Sequence, residues 1–435
     1  MWIVAGLAVT VVCVAGIGAY WLVSHLTEGA ADSSNPADAI RLTLAILTVI
    51  GAVLTGVYAY RKQRIAEGDA HRADATQFAE RYSTAAGQLG HETPAVRLAG
   101  VYAMTQLADD WDEQRQVCID VLCAYLRMPY EWDPESDKYR KGEREVRHTI
   151  IRVIRDHLQG SQERRSWSGF TLDFTRATFD GGDFSDSHFR GNVSFSDTEF
   201  IGDSFSFDGA RFSDGVVDFR GARFDIGTIS FDRARFDGGT VDFGQARFSS
   251  GILALRGAVF DPSGIATFHH AQFSGGTVDL DDAQLNGGTV DFRYAQFSNS
   301  TVNLNRAVCA DGSLAFNRAH FTGGTTSFDH AQFSGGAVAL DDAEFTDSTV
   351  SFYATRFTGG TLTFDYGQFT GSTVTFHHAR FVGGGVALGH ARFTGGTLSF
   401  VRAQVTEGVL TCDEAQFSDV SIRWGRVRPP EGWTA

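Results

Sequence analysis

Residues 231–260 read FDRARFDGGTVDFGQARFSSGILALRGAVF, and the large apolar residues in that stretch keep a fixed beat. Phe231, Phe236, Phe243, Phe248, Leu255 and Phe260 are separated by steps of five, seven, five, seven and five. The same alternation returns at Phe268, Phe273, Leu280, Leu285, Phe292 and Phe297, so the period is twelve residues. Of the 36 Phe in this chain of 435 residues, 35 stand at or beyond Phe170. A repeat array from Phe170 to Trp424 thus consumes nearly the whole supply of one residue type, which a domain built around a single core does not require.

Within the beat, a small or apolar residue stands two positions before each large one: Val241 before Phe243, Ala246 before Phe248, Ala271 before Phe273, Val290 before Phe292. Such alternation places both on one side of an extended chain and the residue between them on the other, so Asp291 is expected to face outward. A five-residue step with Ala two before Phe resembles the pentapeptide-repeat family, loosely A-x-F-x-x. Phe174, Phe179, Phe184 and Phe189 follow that step with no insertion. The resemblance implies a right-handed quadrilateral β-helix with four five-residue faces per coil, those four Phe supplying one.

Beyond Phe189 every second face gains two residues, typically a glycine pair such as Gly238-Gly239, Gly275-Gly276, Gly323-Gly324, Gly359-Gly360 or Gly395-Gly396. Glycine reaches backbone angles closed to other residues, which suits a widened corner. Four faces then make coils of 20 to 24 residues. Ten to twelve of them, at ~4.8 Å per strand, make a rod of about 50 Å. The competing arrangement is an antiparallel array of twelve-residue hairpins. Cys309 and Cys412 occupy Phe beats and are expected to fill the core, and the eight-residue step across Asp261-Pro262-Ser263-Gly264 predicts an enlarged corner.

The N-terminal part has a different character. Trp2 to Leu26 contains no Asp, Glu, Lys or Arg, and Leu42 to Tyr60 is also uncharged. Each is long enough to cross a hydrocarbon core. The segment between them carries Glu28, Asp32 and Asp38, whereas Arg61, Lys62 and Arg64 follow the second span. Positive residues stay inside, so both termini are expected in the cytoplasm. The expected organisation is a transmembrane helix at 1–26, an extracytoplasmic loop at 27–38, a second transmembrane helix at 39–60, a cytosolic helical module at 61–165, the β-helix at 166–424 and a tail at 425–435. Cleavage of the first span after Gly29-Ala30-Ala31 is the alternative, although Met1-Trp2-Ile3 lacks a positive leader. The five cysteines form no C-x-x-C pair, which fits a reducing interior.

In the intermediate segment, Thr93-Pro94 reads as a helix start. Helices are expected at 75–89, 95–108, 112–127 and 144–158, with Leu98, Val101, Tyr102 and Met104, then Val117, Val121 and Tyr125, then Ile150, Ile151, Ile154 and Leu158 buried. Gln88-Leu89-Gly90 followed by Val96-Arg97-Leu98-Ala99-Gly100-Val101-Tyr102-Ala103-Met104 is similar to the helical segment between a membrane anchor and pentapeptide repeats in actinobacterial proteins. That resemblance implies no activity.

Chemical motifs are absent: the chain has no G-x-x-x-x-G-K-[ST], no H-E-x-x-H and no G-x-S-x-G. The histidines His269-His270, His330, His377-His378 and His390 are the candidates for metal or acid–base work. Counted by the coil, His330 and His378 lie two coils apart in one column, whereas His270 falls on the opposite side, so no ligand cluster is expected. Asp281-Asp282 and Asp341-Asp342 are likewise on opposite sides, unlike a general acid and base. No catalytic, cofactor-binding or metal residue is therefore assigned, and an enzyme is not expected. Residues 170–424 hold 30 Asp plus Glu against 17 Arg and no Lys, a net of −13 in a chain of −15. Two functions compete. One is a membrane-tethered scaffold, held to the bilayer by two helices and binding an unidentified cytosolic protein. The other follows from the resemblance, since some pentapeptide-repeat proteins imitate acidic DNA and occupy the DNA site of type II topoisomerases. Arg211, Arg223, Arg235 and Arg247 interleave with Asp218 and Asp242 and dilute such a field, which favours the scaffold and speaks against direct nucleic-acid binding.

Overall fold

The computed structural model describes residues 36–159 and 163–429, with scattered positions between 14 and 25. The expected first span lies largely outside the described residues, as do 27–35 of the loop and 430–435 of the tail. The chain divides between Arg81 and Tyr82 into two compact units.

The first unit holds most of helix α1, Pro36–Leu89. An apolar stretch of this helix has mean hydropathy 1.8 and is only 6 % buried, leaving Leu44, Val49, Val53, Leu54 and Val57 exposed. Among the described residues it is the one helix long and apolar enough to cross a membrane. Polarity changes at Arg61 but the backbone does not break there, because no Pro interrupts 61–89. The helix expected at 75–89 is therefore the end of α1.

In the second unit, α2 (Pro94–Asp110), α3 (Arg115–Arg127) and α4 (Glu143–Gln159) pack together. Gly100 lets α2 pass the end of α1, since a Cβ there would stand 2.7 Å from the Leu89 amide nitrogen. Thr93 and Pro94 take the N-cap and first positions, but the Thr93 side chain makes no capping bond. The loop before α2 is held instead by buried Arg97, which donates to the carbonyls of His91 and Glu92 at 3.0 and 2.7 Å. Arg97 also faces Glu143 at 3.2 Å, and that carboxylate accepts from the Tyr125 hydroxyl at 3.2 Å.

Two of the expected faces need correction. Tyr102 is 54 % exposed, and on α3 the buried stripe is Cys118, Ile119, Leu122, Cys123, Tyr125 and Leu126, while Val117 faces solvent. Helix α3 is covered on two sides, by α2 and by the first strand of the repeat array, so its apolar stripe is wider and rotated.

From Leu172 the chain winds into a β-solenoid of short strands, four to a coil, and every ladder between successive coils is parallel. This removes the hairpin alternative. One face reads Leu172, Val193, Val217, Val241, Ala266 and Val290, with steps of 21, 24, 24, 25 and 24. The uninterrupted five-residue beat makes the short first coil, and the glycine insertions make the 24-residue ones. The step of 25 comes from the Asp261-Pro262-Ser263-Gly264 turn, closed by the Gly264 N–H on the Asp261 carbonyl at 2.8 Å. Eleven strands stack in this face, about ten turns and ~50 Å of solenoid.

The core is a set of ring columns. Phe219, Phe243, Phe268 and Phe292 stack with centroids 4.8, 4.7 and 4.6 Å apart and nearly parallel planes. Leu and Cys interrupt such columns where rings are absent: Cys309 is buried between Leu285 and Phe333 in adjacent strands. Cys412 also occupies a core beat but is only half-buried, because the last coil has no coil above it. The chain does not leave the solenoid at Trp424, as Val427 is buried and its N–H bonds back to the Trp424 carbonyl at 3.1 Å.

The corners are of two kinds. Glycine pairs turn one pair of them, with φ of +67° and +77° at Gly323 and Gly324. The other pair is turned by single residues with positive φ that are mostly not glycine: Asp282, Tyr294, Arg306, Arg318, His330, Asp342, Ala354, Tyr366, His378, His390 and Arg402, every twelve residues. Such a conformation costs an ordinary residue about 1 kcal/mol. It persists because the corner N–H groups from Asp282 to His390 are used by the next coil, as in His330 to the Tyr353 carbonyl and Tyr366 to the Gly389 carbonyl, both 2.8 Å.

Candidate interaction surface

The helices close the first end of the solenoid. Asp180, in the first coil, accepts from the Tyr130 hydroxyl at 2.7 Å and Arg144 Nε at 2.8 Å, with His148 Nε2 at 2.9 Å. Burial pushes its carboxyl up, but these three partners outweigh that and hold it at about 2. Arg147 lies over the Tyr130 ring at 4.5 Å and donates to the Leu126 carbonyl at 2.5 Å and the Thr178 carbonyl at 2.9 Å, tying α3 to the first coil. Arg127 with Asp173 and Arg155 with Asp183 extend the seam, and Gln116 exchanges hydrogen bonds with the Thr171 carbonyl and N–H at 2.9 and 3.1 Å. A cavity of about 650 Å³ opens beside this cluster, lined by Trp132, Arg144, His148, Asp180 and Asp183 among others. None of this seam was among the expected sites. Its signal was present in the sequence as Arg144, Arg147 and Arg155 on one helix against Asp173, Asp180 and Asp183 in the first coil.

Along the flanks, acidic and basic residues neutralise one another between coils. Arg211 meets Asp237 and Arg235 meets Asp261, each at 2.6 Å and each 26 residues on. Arg223 pairs with Glu199 of the coil before, and Arg220 meets Asp218 of its own coil at 2.5 Å and Asp242 of the next at 3.8 Å. Asp291 does sit between two core residues, but it is only 5 % exposed. Its carboxylate closes a turn on the Arg293 N–H at 3.0 Å, receives the Arg293 guanidinium at 2.6 Å and lies 3.1 Å from His269. The residue between two core positions thus caps its own corner, as Asp173, Asp183, Asp218 and Asp242 do in other coils.

The candidate histidines fall in two corner columns. His270 stacks on Tyr294 at 4.9 Å and His390 on Tyr366 at 4.6 Å in one column, while His330 and His378 flank Tyr353, each at 5.5 Å, in the other. His269 and His377 stand one residue before a corner, and His377 Nε2 is 2.7 Å from Ser399 Oγ. Among the described residues no three His, Cys, Asp or Glu side chains are grouped to hold a metal ion. Arg306 bridges Asp281 and Asp282. Burial raises the Asp281 pKa and the Arg306 hydrogen bond lowers that of Asp282, but both carboxylates are held by one cation on an open flank. Asp341 and Asp342, in the same corner column as Tyr366 rather than that of Asp282, are held by Asn317 and Arg318.

No curated protein matches the chain. A family model described as pentapeptide repeats matches it in nine copies, at residues 174–223. Those residues form the first coils of the solenoid, in which the corners already widen after Phe189, and the coils beyond them keep the same ladders. By that match, residues 174–223 are pentapeptide repeats, and the stacked four-sided coils carry the same arrangement through the rest of the solenoid.

Proposed function

We propose that this chain is a membrane-tethered scaffold that holds a partner protein at the cytoplasmic surface, with the repeat solenoid as the docking element. The observation that carries the reading is the flank of the solenoid. Exposed side chains stand there at fixed ~4.8 Å intervals on a backbone locked by parallel ladders, and several of the arginines are already paired with an acid of a neighbouring coil. A surface of that kind recognises shape and pattern over a long face rather than one small substrate. Regular pairing also weakens the long-range negative field that imitation of DNA requires, so the topoisomerase reading takes second place.

The tether rests on two features. The apolar part of α1 is exposed, and the sequence before it holds a second uncharged segment, Trp2 to Leu26. With the acidic loop outside, the helical module and the solenoid lie in the cytoplasm. The test is cysteine accessibility in intact cells. Ser34→Cys reacts with an impermeant thiol reagent, and Thr434→Cys reacts only after the cells are opened; the reverse pattern inverts the topology. For the second reading, the full chain in detergent micelles leaves type II topoisomerase supercoiling unchanged at micromolar concentration. Inhibition that weakens with added salt would promote DNA imitation to first place.

A further inference from the structure

One solenoid face changes character along its length. In the early coils each strand Arg of this face has an acid 26 residues ahead: Arg211 with Asp237, Arg235 with Asp261. Arg356 and Arg380 occupy the same column, in register with one another, but the positions 26 residues ahead are Val382 and Thr406. Neither Arg has an ion-pair partner among the described residues, and both are exposed. Between 348 and 406 the chain carries Arg356, Arg380, Arg392 and Arg402 against the single acid Asp365, a net of +3 within a chain of −15. Asp365 precedes Tyr366, in the opposite corner column.

A shallow groove of about 390 Å³ runs over this face, with Arg356, Arg380 and Arg402 along it and His330, Tyr353 and His378 at its corner. Arg402 Nη1 stands 3.5 Å from His378 Nε2, and the Tyr353 ring sits between the two histidines. Asp329, in the coil below and next to His330, is already engaged by Ser351 Oγ at 2.5 Å and the Tyr353 N–H at 3.0 Å. Strand partners ~4.8 Å apart bring two guanidinium forks to bear on one tetrahedral anion, and planar forks match phosphate oxygens in pairs.

We propose that Arg356, Arg380 and Arg402, with Tyr353 and His378 beside them, form a binding site for a phosphate group. This goes beyond the scaffold reading and does not depend on it, since the site is defined by unpaired charge on one face. The probe is pyrophosphate, titrated calorimetrically into the full chain in zwitterionic detergent at low salt. Saturable binding is expected, weakened at least tenfold in Arg356→Gln/Arg380→Gln. The matched control Arg211→Gln/Arg235→Gln, where each Arg already has an Asp, binds as the unaltered chain does. Unchanged circular dichroism and melting in both variants separates binding from folding. A parallel titration with short-chain phosphatidylglycerol identifies the source of the phosphate: tighter binding of that lipid, with the same Arg dependence, supports the site and assigns it to a headgroup. No saturable binding of either probe overturns the proposal, as does equal loss in the control or full displacement by equimolar chloride.

Discussion

Replacing Asp180 with Asn removes one charge from the seam between α4 and the first coil while keeping the side chain's shape. The carboxylate is about one-tenth exposed and receives Tyr130, Arg144 and His148. A carboxyl held at about 2 in place of its ordinary 3.8 contributes about 2 kcal/mol, at ~1.4 kcal/mol for each tenfold change in proton affinity. Because the folded pKa is depressed, this contribution is complete above about pH 4 and is lost as the pH falls towards 2. Asp180→Asn therefore lowers stability by about 2 kcal/mol at pH 6, and most of the gap from the unaltered chain closes by about pH 2, where Asp180 is protonated in the unfolded state and about half protonated in the folded one. Unfolding followed by circular dichroism in detergent micelles, run on both proteins at each pH, measures that difference. Other acid-labile carboxylates cancel in the comparison. A gap below ~0.5 kcal/mol at pH 6, or one that persists unchanged at pH 2, would refute the proposed coupling between the helices and the solenoid.

Three further outcomes follow from the same structure. Phe292→Asp buries an uncompensated charge in a ring column and costs at least ~4 kcal/mol, while Asp291→Ser, which strips Arg293 and His269 of their carboxylate, costs about 1–3 kcal/mol rather than nothing; equal melting for Asp291→Ser and the unaltered chain contradicts the described turn. Arg97→Leu leaves Glu143 buried beside Tyr125 without its cation and costs about 3–5 kcal/mol, read as a loss of helical signal at lower denaturant. Burial pushes the thiols of Cys118, Cys123 and Cys309 up to about 11, 12 and 11, so at pH 8 they react with a thiol reagent only after unfolding, as counted by mass spectrometry.

The solenoid was legible in the sequence because each buried position repeats. A stacked coil turns an inward position to the core every fifth or seventh residue and returns to the same column once per coil, so Phe, Leu or Cys recurs there, and the eight-residue step at Asp261 to Gly264 reads directly as an extra corner residue. The positive-φ corners were hidden, since their identity is set by which N–H the neighbouring coil accepts rather than by residue type: Tyr294, Arg318 and His330 look like ordinary surface residues. Asp291 was misjudged for a related reason. Alternation says which side of a strand a residue leaves from, not whether the next corner folds over it. The seam at Asp180 depends on contacts across 30 to 50 positions of sequence, between an Arg-rich helix and an Asp-rich coil, and no local period announces it.

The most direct test of the scaffold is photo-crosslinking from the solenoid in the cells that make the protein. Tyr294 and Tyr366 are 36 % and 56 % exposed in one corner column, and Tyr102 is exposed on α2. With a benzophenone amino acid placed at each position in turn in the full chain, the solenoid positions are expected to capture one and the same protein, and Tyr102 is expected to capture it weakly or not at all. Capture from Tyr102 alone, with none from Tyr294 or Tyr366, would contradict the solenoid as the docking element.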